Sequence, residues 1–413
     1  MFPKRFTGVL KDPVWFKVLS FSLILFFIFL GDAVLSFWVP NLLQDSLKSP
    51  LAMGAVMSFS SLIGFGMDLI FPQMIQGITV KRLVTFGAGT SIAFSLVLLL
   101  SLKVPWLVIF LVAMAIWGIY YEFFGFAEQQ FVADTVPLRL RSSGWALFGV
   151  FKNLAYFLGP LIAAWVILRG EWYPAMTAIF FVVIGILAMF FLKKTHDRPF
   201  EMDFAEVNIW SELKHWVVLT EHVWPVIILS LILGLIDSTF WTTGTVLTEK
   251  FTRLNILGGF FLPLYQLPSL FVGLIMARMN VYEGKKRLAT VFLLISGIFL
   301  GLLGFLNSIY LVLASVFIAS TLLAVSFPLT NGVYSDIVAR MGRERKHLIG
   351  LSNSTLSLAY IIGPILAGLI AKWVGEEKTF SVMGGITVVV AIFLLIVTPR
   401  KLRLPEKEIR SWE

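Results

Sequence analysis

Apolar runs about as long as a bilayer is thick recur from one end of this chain to the other, and they decide what it can fold into. Twelve can be delimited, at roughly 14–40, 50–74, 83–102, 104–127, 143–168, 173–192, 219–247, 255–277, 288–306, 308–335, 347–371 and 379–398. About 20 consecutive apolar residues form a helix that crosses the ~30 Å hydrocarbon layer. Mean hydropathy is +0.89, and 14% of residues are charged, against about 25% in soluble domains. The expected fold class is an all-α membrane protein with twelve transmembrane helices. The first run ends at Gly31-Asp32-Ala33 without a small-x-small cleavage site, so it reads as a span and not as a removable signal. The chain has no Cys, so no disulfide supports the fold.

An even number of spans puts both termini on one side. Of the 33 Lys and Arg, seven (Lys48, Lys103, Arg169, Lys250, Arg253, Lys372 and Lys378) fall on one set of loops, while Lys17 and Lys152 lie inside spans. The rest fall on the termini and on every second loop, which places that side in the cytoplasm. The same bias accounts for the net charge of +9 without a nucleic-acid partner. The expected localisation is the cell membrane, multi-pass, with cytoplasmic termini.

The chain also repeats itself. LAYFLGPLIAAW, at 154–165, returns as LAYIIGPILAGL at 358–369, an offset of 204 residues. Each copy carries Gly-Pro mid-run (Gly159, Pro160 and Gly363, Pro364) and small residues four apart, which make a smooth face for close helix packing. Two similar halves follow. The expected division is 1–192, a linker at 193–218, and 219–413. In the linker Phe204, Val207, Trp210, Leu213 and Trp216 or Val217 recur at helical spacing. That pattern predicts an amphipathic helix lying on the cytoplasmic membrane surface or docked on the protein itself.

Twelve spans in two pseudo-symmetric six-helix bundles, with a central cytoplasmic loop, resemble the major facilitator superfamily. The family's antiporter motif maps here onto Ala146, Ala155, Gly159-Pro160 and Ala163-Ala164, and again onto Gly350, Ala359, Gly363-Pro364 and Ala367-Gly368. Its signature loop after spans two and eight reads here as Lys81-Arg82 after Pro72, and as Gly273, Arg278, Gly284-Lys285-Lys286-Arg287, with Ala277 where the family has Asp. Asp134 and Asp336, at the cytoplasmic ends of spans four and ten, match the acids that pair with that loop; with Arg278 they are the gating-loop candidates. The resemblance implies that spans five and eleven are surfaces where the halves meet, five against eight and eleven against two. It also implies that spans one, four, seven and ten line a central cavity.

Charges inside spans are costly and mark function. Five stand out: Asp32, Asp68, Glu122, Lys152 and Asp237. Asp32 and Asp237 sit in similar contexts, GDAVLSFW and GLIDSTFW, and the resembled fold would set them facing each other across the cavity. Glu122 and Lys152 lie at similar depth and are expected to form an ion pair, with Asp68 near them. Four acids against one base are not expected to be ionised together, so Asp32, Asp237 and Glu122 are the proton-coupling candidates. Tyr120, Tyr121, Gln266, Asn331, Trp38 and Trp241 are candidates for lining the substrate cavity.

No catalytic constellation, metal spacing or phosphate-binding loop is present in the sequence, so neither an enzyme nor an ATP-driven pump is expected. The expectation is a secondary transporter working by alternating access, with the proton gradient as its energy source and no cofactor. Its expected partners are the lipid bilayer, protons and a small-molecule substrate, and it is expected to act as a monomer. Export of amphipathic or cationic small molecules by antiport leads. Proton symport of a small polar solute such as a sugar or organic acid, sodium coupling, and a lipid-moving or non-transporting relative stay open.

Overall fold

A computed structural model describes residues 13–74, 78–137, 140–190, 209–278, 284–338, 340–341 and 345–398. They form twelve α-helices: α1 (Pro13–Leu47), α2 (Pro50–Met74), α3 (Val80–Lys103), α4 (Leu107–Thr135), α5 (Arg141–Ile167), α6 (Tyr173–Phe190), α7 (Ile209–Leu254), α8 (Phe261–Arg278), α9 (Lys285–Leu302), α10 (Ile309–Val338), α11 (Arg345–Val374) and α12 (Glu376–Val397). Ten are long and apolar enough to cross a membrane; the two shorter apolar helices cover Tyr173–Met189 and Ile256–Val272. Pro40, Pro160, Pro225, Pro268, Pro328 and Pro364 all lie inside helices. Membrane helices tolerate this because neighbouring groups satisfy the freed carbonyls.

The chain divides into two compact units. One takes residues 1–46 and 59–203, the other 47–58 and 204–413. In the first unit α3 packs along α4 and against α6; in the second, α7 pairs with α11, and α9 with both α10 and α12.

Hydroxyls do much of the polar accounting inside these apolar helices. The threonine-rich stretch of α7 is buried, yet Thr239, Thr242, Thr245 and Thr248 each donate to a carbonyl one turn back. Other hydroxyls reach across helices and pin α8, α9 and α10 together. Ser296 donates to Ala319, Ser326 to Ala289, Ser315 to Phe299 and Ser320 to Leu264, all within 2.8–3.1 Å. Such bonds replace the hydrophobic driving force that lipid cannot supply between helices.

The linker reading needs one correction. Its second part does not form a helix of its own but is continuous with span seven in the 46-residue α7. Trp216 packs against a cluster of Leu219, Val223, Val226, Val333, Ile337 and Leu348, so this end is docked on protein. Phe204 and Val207 lie outside the described residues.

Candidate functional site

Asp32 sits in the middle of α1, 2% exposed, and both its carboxylate oxygens are occupied. Oδ1 accepts from Trp117 Nε1 at 2.9 Å and from the Tyr120 hydroxyl; Oδ2 accepts from the Tyr156 hydroxyl at 2.5 Å and from Ser36 Oγ at 3.4 Å. Ser36 stands one turn along the same helix. Trp117 and Tyr120 are three apart on α4 and therefore share a face. Tyr156 comes from α5. One carboxylate thus ties three helices together.

Asp237 is arranged in the same way in the second unit, with fewer partners. Tyr265 of α8 donates to Oδ1 and Tyr360 of α11 to Oδ2. Tyr156 and Tyr360 are the tyrosines of the two LAY segments. The repeated glycines explain the placement. A Cβ on Gly159 would collide with Ala33, and one on Gly363 with Ser238. Ala33 and Ser238 are the residues immediately after the two aspartates. Each Gly-Pro segment therefore lets its helix touch α1 or α7 beside the acid, and the tyrosine one turn earlier then reaches the carboxylate. At these positions the repeated faces serve packing within their own unit, a role the expected meeting of the halves did not include.

Lys152, on α5 one turn ahead of Tyr156, corrects a second expectation. Its Nζ lies 4.5 Å above the ring of Phe29 and 4.8 Å above that of Tyr121, and the carboxylates close enough to act on it are Glu128 and Asp32. Glu122 is turned elsewhere: its Oε1 lies over bare Gly64 of α2, 3.2 Å from where a Cβ would stand. Gly118 and Ser60 meet so closely that α4 and α2 are in backbone contact there, and this sets Glu122 against Gly64 one turn on. Tyr121 and Glu128 are seven apart and share a helix face, whereas Glu122 is rotated about 100° from Tyr121. Depth along a span can be read from sequence; azimuth decides the partner.

Glu128, buried at 9% exposed, lies just past the expected end of span four at 127, because α4 continues to Thr135. Trp117, Tyr156, Tyr265 and Tyr360 were also passed over. The tyrosines of the repeat were in plain view, and their recurrence was the available signal.

The remaining candidates are scattered. Trp38 is buried and Trp241 half-buried. Tyr121 is 39% exposed. Gln266 neighbours Tyr265, and its carbonyl accepts from Ser269 at 2.6 Å; Asn331 is exposed, and its carbonyl accepts from Ser335 at 2.9 Å. Asp134 is exposed. Asp336 pairs with Lys285, Nζ to Oδ2 2.7 Å, at the start of α9. There Gly284 takes a left-handed φ of +71°, a turn that suits glycine. The side chains of Asp68 and Arg278 lie outside the described residues. Among the described residues no group of three His, Cys, Asp or Glu could hold a metal ion.

The family model of the Major Facilitator Superfamily matches residues 21–282 and again 226–412. A staphylopine export protein of Staphylococcus aureus is 24% identical over 310 residues, 70% of this chain and 75% of that protein. A Na(+), Li(+), K(+)/H(+) antiporter of Planococcus maritimus is 22% identical over 343 residues, 75% of this chain and 78% of that protein. Among solved structures, the human organic anion transporter MFSD10 superposes with a TM-score of 0.65 at 17% identity, covering 93% of this chain and all of that one. A structure described under proton-dependent oligopeptide transporters gives 0.72 at 11% identity, covering 95% and 99%.

Proposed function

Because the chain belongs to the major facilitator superfamily and is a multi-pass membrane transporter, we propose that it exports amphipathic small molecules in exchange for protons. The observation that carries this reading is the Asp32 cluster: a buried acid bound to three helices, beside a lysine and a second acid, inside a membrane span. An ionised Asp32 accepts four hydrogen bonds. On protonation it carries an O–H that needs an acceptor, so one of the hydroxyls of Ser36, Tyr120 or Tyr156 has to turn round or yield. Proton uptake is thereby coupled to the fit between α1, α4 and α5. In an alternating-access cycle the proton is taken up when the site opens outward and released to the cytoplasm when it opens inward, and the solute moves the other way.

The direction of transport is supported by the Gly-Pro segments, which match the antiporter motif of the family, and by distant kinship to proteins named as an exporter and a cation/H+ antiporter. The Lys and Arg bias supports cytoplasmic termini in the cell membrane. We take the working unit to be a monomer, powered by the proton gradient with no cofactor.

The test is reconstitution into liposomes with an imposed pH gradient, a fluorescent amphipathic dye as solute and an internal pH indicator. Wild type should move dye and protons in opposite directions, and Asp32→Asn should move neither against a gradient. Gradient-driven dye movement that survives Asp32→Asn would remove Asp32 from the coupling role; dye movement without protons would end the antiport reading.

A further inference from the structure

The acid of the Asp32 cluster is already matched by four donors, whereas its base is not matched in kind. Among the described residues Lys152 makes no ion pair; its ammonium rests on the faces of Phe29 and Tyr121 and hydrogen-bonds the Tyr121 side chain, a neutral partner. Lys152 is half-buried and Tyr121 is 39% exposed, so the site is open on one side. An ammonium exposed to hydrocarbon is unfavourable, so the exposed side of Lys152 is expected to face water and not lipid. A cation stacked between aromatic faces is stabilised by roughly 0.5–2 kcal/mol, less than a carboxylate in hydrogen-bonding contact supplies. Of the two nearby carboxylates, Asp32 has all its hydrogen bonds to other donors, and Glu128 acts on Lys152 without reaching ion-pair distance.

We infer that Lys152 is the recognition point for an anionic group of the transported solute, so that the substrate is an amphipathic organic anion, typically a carboxylate, and not a cation. The inference rests on the transporter reading and specifies its substrate class. The carboxylate of the solute would pair with the ammonium, and an apolar or aromatic body would lie on the exposed face of Tyr121. This differs from the expectation of a cationic substrate, in which a buried acid attracts the solute. Here the acid is satisfied by the protein, and the lysine offers the open charge.

Binding of three probes with one aromatic body separates the possibilities without any gradient: indole-3-acetate, its neutral amide, and tryptamine. Purified protein in detergent is titrated by isothermal calorimetry. Wild type should bind the carboxylate at least about tenfold more tightly than the amide, ~1.4 kcal/mol, with the amine weakest. Lys152→Gln should equalise the carboxylate and the amide, and Lys152→Arg should keep the preference. Should Lys152→Gln not fold, the wild-type ranking and Lys152→Arg still decide the matter. Tightest binding of the amine, a preference that survives Lys152→Gln, or no binding of any probe at millimolar concentration overturns the proposal. Proton coupling is read separately in the Asp32→Asn liposome assay, so either reading can fail while the other stands.

Discussion

Asp32 and Asp237 occupy corresponding places in the two units, yet their surroundings have diverged. Each carboxylate receives a hydroxyl from the tyrosine of its unit's LAY segment, and each is seated by the glycine three residues later. Around Asp32 this frame has gained Trp117, Tyr120 and Lys152, with Phe29 under the ammonium. Around Asp237, among the described residues, it has gained Tyr265. The residue matching Lys152 is Leu356, and where Phe29 stands one turn ahead of Asp32, the second unit has Gly234, with Leu356 and Ala359 against it. A duplicated frame therefore holds one acid among charges and another among apolar side chains. On the antiport reading proposed above, solute and proton handling would fall to the first unit and a helix-tying role to the second.

The largest expected effect bears on that division. Asp32→Asn should reduce pH-driven transport in liposomes to the level of protein-free vesicles, while Asp237→Asn should retain a measurable driven rate. Equal loss in both would make the two acids functional equivalents and erase the contrast. Next come the seating glycines. Gly159→Ala should lower stability by about 1–3 kcal/mol, the range for an overpacked core, because the new methyl meets the backbone of Ala33 as well as its Cβ. Gly363→Ala should cost less, since the Ser238 hydroxyl can rotate away and the close contact left is with the Ser238 Cβ and not with backbone. Unfolding curves in detergent, compared as a pair, check the order.

A third pair of variants probes the number of donors. Tyr360→Phe leaves Asp237 with Tyr265, whereas Tyr156→Phe leaves Asp32 with three donors. A hydrogen bond to a charged group contributes ~1.5–3 kcal/mol, so Tyr360→Phe should approach that loss and Tyr156→Phe should cost about half as much. The reverse order would mean that the number of donors does not set how strongly each acid ties its helices. The smallest effect is expected away from both sites. Asp336→Asn removes an ion pair whose acid is 53% exposed, and such pairs are worth about 1 kcal/mol or less. A larger change in stability would show that the start of α9 depends on this pair.

The helices were legible because a bilayer leaves little choice: a run of apolar residues of sufficient length must be a helix. The two aspartates were legible for the same reason, since a charge in such a run has to be explained. Their partners were not, because helix azimuth depends on contacts that no single run contains. Glu122 and Lys152 looked matched in depth, and the Gly118–Ser60 contact turned Glu122 toward α2 instead. The tyrosines of the repeat could have been paired with the acids by arithmetic alone, since both offsets are close to half the chain. An aromatic residue in an apolar run has a simpler explanation in packing, and that explanation prevailed.

The continuity of α7 has a mechanical consequence. Ile209 stands about 28 residues from Asp237 along one helix, roughly 42 Å at 1.5 Å per residue. That makes α7 a long arm running from the Asp237 carboxylate to the docked end. A tilt of about 10° at Asp237 carries the Ile209 end through about 7 Å, given the same rise. Pro225 lies along the arm, at the position where one backbone hydrogen bond is missing and bending is easiest. Because Trp216, Leu219 and Val223 on this arm pack against Val333, Ile337 and Leu348, such a tilt would have to carry that cluster with it.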